Sequence, residues 1–208
     1  MELQDDPKIY FNKNYDSKKR FCSYWHQINE VIRLSPEKIL EIGIGNRFVS
    51  RYLKGKGVNV ITMDIEEQVH SDIRADVHNL PFRDDSFDAV ICYEVLEHLP
   101  YKDFQKVLPE ISRLSKFFVI ISLPDITRTY RFYLELPKLG TIKKIIALPI
   151  FKKQIHTFDG YHYWEIGKSG YPLKRIIADI QRGGFNVEKT YRVFENPYHR
   201  FFILKKKK

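Results

Sequence analysis

Cysteine is scarce in this 208-residue chain, with Cys22 and Cys92 its two representatives. A pair of thiols excludes a disulfide framework and a cysteine-built metal cluster, and Cys92, inside an apolar run, reads as a small buried thiol. Long hydrophobic runs are missing too: no stretch reaches the ~18 apolar residues of a membrane-spanning helix. The amino end is polar and charged from Glu2 to Lys8 and lacks a signal-peptide pattern, so cytoplasmic residence is expected. No internal repeat or low-complexity stretch occurs apart from the lysines at 205–208. A hydrophobic content of 43% and a charged content of 29% are ordinary for a soluble protein, and the length suits one domain with an ample core.

What is present begins with Lys38-Ile39-Leu40-Glu41-Ile42-Gly43-Ile44-Gly45-Asn46. An apolar run, an acid and two glycines read as a buried strand ending in a turn. A ligand can approach the main chain closely there, because no Cβ intervenes. A second apolar run, Val58 to Met63, ends at Asp64, 21 residues past Gly43 and close to the ~20 expected for an acid that binds a ribose hydroxyl. Asp76 follows a short run containing Ile73, and Phe87 to Tyr93 reads as another buried strand leading into Glu94. Glu41, Asp64, Asp76 and Glu94 thus fall near strand ends, where an open α/β sheet binds its ligands. Four carboxylates around one crevice repel a pyrophosphate and favour a ligand with positive charge and a ribose. The glycines agree. Phe48 stands where a dinucleotide fingerprint wants its third glycine, and no Gly-Lys-Ser/Thr phosphate loop is present.

These residues resemble the class I S-adenosylmethionine-dependent methyltransferases, and within them the ubiquinone/menaquinone-type (type 11) branch. The resemblance rests on Leu40-Glu41-Ile42-Gly43-Ile44-Gly45, on Asp64, on Asp76-Val77-His78-Asn79-Leu80-Pro81-Phe82, and on Phe87-Asp88-Ala89-Val90-Ile91-Cys92 leading to Val95-Leu96-Glu97-His98-Leu99. It covers about Lys38 to Pro124. It implies a Rossmann-like α/β fold: a seven-stranded, mostly parallel sheet with helices on both faces, an antiparallel last strand, and a basic, aromatic lid inserted after strand five. It also implies S-adenosylmethionine as cofactor. Gly43, Gly45 and Asn46 would abut its methionine part with Glu41 and Glu94 beside them, Asp64 and Ile65 would meet the ribose, and Asp76 with Val77 would hold the adenine. The family commonly has a further glycine two after the second. This chain has Arg47 there, able to pair with the cofactor carboxylate or to point to solvent. Three neighbours have plainer readings: Asp88 as a strand starter or turn cap, Glu97 as a surface helix acid, and His98 as a packing residue at a helix start.

Helical spacing of Phe21, Trp25, Ile28 and Ile32 predicts a helix over about Lys18 to Leu34 lying on the cofactor crevice, ended by Ser35-Pro36. Further helices are expected near Phe48–Lys54, Lys102–Ser115 and Leu173–Arg182, the last stopped by Gly183-Gly184. Strands are expected at Phe117–Leu123, Phe185–Phe194 and Arg200–Leu204. Along the chain, a helical cap (1–37) precedes the cofactor half (38–124), the lid (125–168) and a final helix with a β-hairpin (169–208).

The net charge of +9 is unevenly placed. Residues 125–153 carry seven basic side chains against Asp125 and Glu135, a net of +5; the tail at 205–208 supplies +4, and everything else sums to zero. Leu139, Ile142, Ile145 and Ile146 recur at helix-like spacing between Lys138, Lys143 and Lys144. That predicts a cap helix packed on the domain or, as the alternative, a peripheral contact of 138–153 with anionic membrane. Beyond it, His156 to Glu165 gathers two histidines, aromatic rings and two acids. Imidazole is the natural general base near neutral pH, so His162, and after it His156, are the catalytic candidates. Metal ligation by His156, His162 and Glu165 lacks helical i, i+4 spacing, and no metal is expected. The expected acceptor is a small molecule, or one linked to lipid or glycan, of anionic character. An RNA methyltransferase fits the charge, but Cys92-Tyr93-Glu94-Val95 lacks the Asn/Asp-Pro-Pro-aromatic sequence of enzymes that methylate exocyclic amines, so nucleic acid is not favoured. A non-catalytic, cofactor-binding partner protein is the remaining alternative.

Overall fold

A computed structural model describes residues 7–138, 140–148 and 154–207 of the chain. Helix α1 (Lys18–Leu34) is capped by the Ser17 hydroxyl and ends on Ser35 in the left-handed region, φ 47°. Strand β1 (Lys38–Ile42), helix α2 (Phe48–Gly55), β2 (Asn59–Asp64), the short β3 (Ile73–Arg74) and β4 (Phe87–Tyr93) follow. Then come α3 (Tyr101–Leu114), β5 (Ser115–Pro124), a ribbon of β6 (Thr129–Leu136) and β7 (Gly140–Ala147), α4 (Leu173–Arg182), β8 (Phe185–Arg192) and β9 (His199–Lys206).

Seven strands form one sheet in the order β3-β2-β1-β4-β5-β9-β8, all parallel except β9, which is antiparallel to both its neighbours. The central strands are near-continuous apolar runs because both faces are covered. Ile39, Val60, Ile91 and Ile120 pack toward Ile28 and Val31 of α1 and Val49 and Leu53 of α2. Leu40, Met63, Val90 and Ile121 pack toward Phe104 and Ile111 of α3 and Ile176 and Ile180 of α4. Strand order reverses between β1 and β4, so a crevice opens at their carboxyl ends, where Gly43 and Glu94 stand.

Two expectations about the cap and the lid change. Helix α1 has the expected bounds, but Phe21, Trp25 and Ile32 are exposed, and the buried face carries Tyr24, Gln27, Ile28 and Val31. The helix serves two surfaces at once: Ile28 and Val31 lie on the sheet, while Tyr24 stacks on Phe48 and turns its hydroxyl to Asp16 at 2.9 Å. In place of the cap helix there is a β-ribbon, with Tyr130 opposite Ile146 and Leu134 opposite Ile142. The spacing of Ile142, Ile145 and Ile146 suits a helix, but these residues and Thr141 are β-branched, and the alternating stretch 129–136 offers them a partner strand. Leu139 and residues 149–153, part of the expected segment, lie outside the described residues. One face of the ribbon is fastened to the body: Arg131 donates to the carbonyls of Phe194 and Glu195, and Lys143 pairs with Glu195 at 2.9 Å. The other presents Tyr130, Phe132, Leu134, Leu136, Ile142 and Ile146, each between 37% and 65% exposed.

Candidate active site

The floor of the crevice is the turn that leaves β1. Gly43 holds φ 75°, its N–H donates to the Met63 carbonyl at 2.9 Å, and a Cβ there would lie 2.2 Å from Val95 Cγ2. Glycine is therefore required both for conformation and for room. Gly45 is also left-handed, at φ 47°, and so is Arg47, at φ 65°, where the resembled family has glycine. The Arg47 guanidinium sits 5.7 Å over the Phe11 ring, outside the crevice lining. Asp88, away from the crevice, accepts from the N–H groups of Glu37 and Lys38 at 3.1 and 2.9 Å, tying the start of β1 to β4.

The expected acids gather around this floor. Glu41, Asp64, Asp76 and Glu94 all line one crevice, with Ile65 and Val77. Asp64 accepts from the N–H of Ile44 at 2.8 Å and of Glu66 at 2.9 Å, which fixes the ends of β1 and β2 relative to each other. Burial nevertheless raises its pKa. Asp76 accepts from His78 N at 2.9 Å and pairs with its ring at 2.6 Å; burial works against ionisation there, and these bonds more than offset it. Glu41 is buried, Oε2 has no partner, and burial pushes its carboxyl up to about 8. Asn46 also lines the crevice, but its amide is committed to Asp16 and Tyr24 while its oxygen accepts from Phe48 N.

A second wall is the one the sequence placed there as a helix over the crevice, though not its individual residues. Tyr10, Tyr15, Arg20, Tyr24 and Gln27 close the crevice from the amino-terminal side, with Arg20 donating to the Tyr15 hydroxyl at 3.0 Å. Contacts between residues 10–27 and the turn at 43–46 depend on how α1 lies across the sheet, which periodicity does not report.

The opposite end is lined by Glu94, His98 and His199. Glu94 has φ 53°, a strained conformation of the kind that clusters at functional sites, and its Oε1 is buried without a partner. His199 Nε2 lies 3.8 Å from Glu94 Oε2, and burial lowers the pKa of this ring, keeping it neutral near pH 7. An isolated histidine opening the last strand gave no sequence signal; it reaches the crevice because β9 lies against β5. His162 and His156 stand one layer back. The His162 ring packs 5.1 Å from that of His98, and its Nδ1 lies 3.3 Å from both Glu165 and the Tyr198 hydroxyl. Burial lowers the His162 pKa, and the Glu165 carboxylate more than reverses that. His156 is bound through Nε2 to the His162 carbonyl at 2.7 Å.

Glu97 departs from its expected place on the surface. It is fully buried, neither carboxylate oxygen has a hydrogen-bond partner, and burial holds its pKa well up. The Leu96–His98 turn is roofed by the loop around Tyr163, whose N–H donates to the Glu97 carbonyl at 2.9 Å. That roof comes from more than sixty positions downstream, so local pattern placed Glu97 outside.

Residues 40–117, which contain all four crevice acids, match a methyltransferase domain. A demethylmenaquinone methyltransferase of Thermotoga maritima is 30% identical over 151 residues, 59% of this chain and 65% of that protein. An uncharacterized protein of Methanocaldococcus jannaschii is 36% identical over 85 residues, 38% of this chain and 36% of that one. The chain thus spans less than two thirds of the length of these relatives. Among solved structures, magnesium protoporphyrin IX methyltransferase from Synechocystis with bound SAH superimposes with a TM-score of 0.65 at 15% identity, over 96% of this chain and 92% of that one. An S-adenosylmethionine-dependent methyltransferase from Clostridium acetobutylicum gives 0.61 at 10% identity, over 97% and 96%. At such identities the likeness is one of fold, and the methyltransferase fold is what this domain shares with them.

Proposed function

We propose that the crevice binds S-adenosylmethionine and that the protein transfers its methyl group to a small anionic acceptor, free or linked to lipid or glycan. One observation carries this reading: Glu41 Oε2 and Glu94 Oε1 are buried, partnerless carboxylate oxygens flanking a glycine turn with no room for a side chain. Buried acids of this kind call for a cationic, hydrogen-bonding ligand. Glu41, Gly43, Gly45 and Asn46 would hold the methionine part, Asp64 and Ile65 the ribose, and Asp76 and Val77 the adenine. The match to a demethylmenaquinone methyltransferase supports the ubiquinone/menaquinone-type branch.

When bound, S-adenosylmethionine supplies an electrophilic methyl carbon on its sulfonium. The chain's own residues then exclude water, align the acceptor and take its proton. Tyr10, Tyr15 and α1 cover the cofactor side. His199, kept neutral beside Glu94, is the group placed to accept a proton; an acceptor that is already anionic needs none. His162 serves as a positioning residue through its contact with His98, and His156 holds the His162 backbone. The lid, 125–168, draws the anionic acceptor by its charge. The exposed apolar face of the β6–β7 ribbon, which carries Lys144 and has Lys138 in its connecting turn, rests on an anionic lipid surface in this reading.

Isothermal titration tests the assignment. S-adenosylmethionine should bind at micromolar affinity and NAD should not, and Asp64→Ala should weaken the former at least ~10-fold, the equivalent of about 1.4 kcal/mol. Absence of heat with S-adenosylmethionine rejects the cofactor assignment, and unchanged affinity in the variant removes Asp64 from the site.

A further inference from the structure

A fully buried carboxylate with both oxygens partnerless is costly unless something neutralises it. Glu97 is such a group, and it is not alone: the ligand atoms of Glu97, His98 and His162 all lie within 4.8 Å of one another. The three come from two segments, the Leu96–His98 turn after β4 and the loop that roofs it, so the fold brings them together and the sequence spacing does not. We infer that Glu97, His98 and His162 form a binding site for a divalent transition-metal ion, Zn²⁺ or a metal of similar preference, bordering the crevice end lined by Glu94, His98 and His199.

The surroundings are those of a metal site. His98 Nδ1 donates to the Tyr161 carbonyl at 3.0 Å, which fixes the tautomer with its lone pair on Nε2. His162 Nδ1 is engaged by Glu165, itself held by the Tyr198 hydroxyl at 2.5 Å, the carboxylate–histidine arrangement that orients metal-bound imidazoles and raises their basicity. Two imidazole nitrogens and one carboxylate oxygen are the donor set of a three-ligand zinc site with an open fourth position. Ligand atoms around tetrahedral zinc are ~3.3 Å apart, so side-chain rotations of about 1 Å close the set around an ion. His98 also lines the crevice beside Glu94 and His199, so the trio borders that end of it. On the methyltransferase reading, it is there that an anionic acceptor oxygen would be held. This trio differs from His156, His162 and Glu165, the weaker sequence grouping, and sharing His162 is what links the two.

The test uses the full chain dialysed against a chelator and titrated with Co²⁺ alone, followed by visible absorption and calorimetry. One equivalent should bind with d–d bands of a four- or five-coordinate ion, and Zn²⁺ should displace it. Glu97→Gln and, separately, His162→Ala should each weaken binding by more than the ~10–100-fold typical of losing an outer-shell partner, with circular dichroism unchanged. No cobalt absorption, or equal binding in wild type and a folded His162→Ala variant, overturns the site. Titration with S-adenosylmethionine in the same preparations separates the two ideas: cobalt bound without the cofactor leaves the metal site standing and the methyltransferase reading fallen, and the reverse outcome does the opposite.

Discussion

Single residues in the crevice carry contradictory demands. Glu41 is buried among β-strands and yet acidic, and burial pushes its pKa up to about 8. Above its ordinary value of 4.5 the folded protein therefore holds a proton that the unfolded chain has lost. The contribution to stability is complete below about pH 4.5 and fades as pH rises through 8, with a slope approaching about 1.4 kcal/mol per pH unit between them. Glu41→Gln should flatten that part of the profile, so the melting temperature of the wild type should fall relative to the variant between pH 5 and 8. Parallel profiles would mean that Glu41 titrates normally. Arg47 shows the opposite kind of demand: a non-glycine residue held at φ 65°, where α2 begins. The identity of the crevice acids was legible from strand-end spacing alone, whereas the state of their carboxyls was not, since burial is set by residues far along the chain.

Among the elements, the β6–β7 ribbon is the most unusual. Two strands alone are marginal in water, and this pair uses Arg131, Tyr133 and Lys143 to hold one face against residues 194–195. Its free face places Lys144 among six large apolar side chains, with Lys138 in the connecting turn. A second copy laid on this face would set like charges together, whereas anionic lipid complements them. Wild-type protein should therefore sediment with phosphatidylglycerol vesicles and not with phosphatidylcholine ones. Phe132→Asp combined with Ile142→Asp should abolish that binding at unchanged melting temperature. Equal sedimentation of the double variant would remove the ribbon from any lipid contact. No described helix is long and apolar enough to cross a membrane. Helix α1 is the instructive element for reading sequence: its bounds were legible from caps and Ser35-Pro36, its buried face was not, because Phe21, Trp25 and Ile32 look like a core stripe and lie outward.

At the scale of the molecule, one buried cluster ties the lid to the sheet. Asp125, just past β5, accepts from Arg200 Nε at 2.6 Å and from Thr127 N at 2.9 Å. Arg192 donates to the carbonyls of Asp125 and Thr127, both at 2.7 Å, and Ile126 N donates to the Ile166 carbonyl. The root of the ribbon, the end of the roofing loop and strands β8 and β9 thus meet at one acid. Asp125→Ala leaves two half-buried arginines without their charge partner and should cost about 2–3 kcal/mol by chemical denaturation; a loss under ~1 kcal/mol would mean the arginines turn to solvent without penalty.

The alternation of strands and helices, the glycine turn and the acids at strand ends could all be read along the chain. These follow from local rules: apolar runs of strand length, glycine where φ must be positive, and carboxylates at fixed distances from the turn. What those acids face, the arrival of His199 and the amino-terminal tyrosines beside them, and the burial of Glu97 against two histidines came from packing between distant segments. The reason is physical. Burial, pKa and ligand geometry depend on which distant segments pack over a residue, and β9 reaches the crevice, and the loop at 156–165 roofs Glu97, only once the sheet has closed beside them.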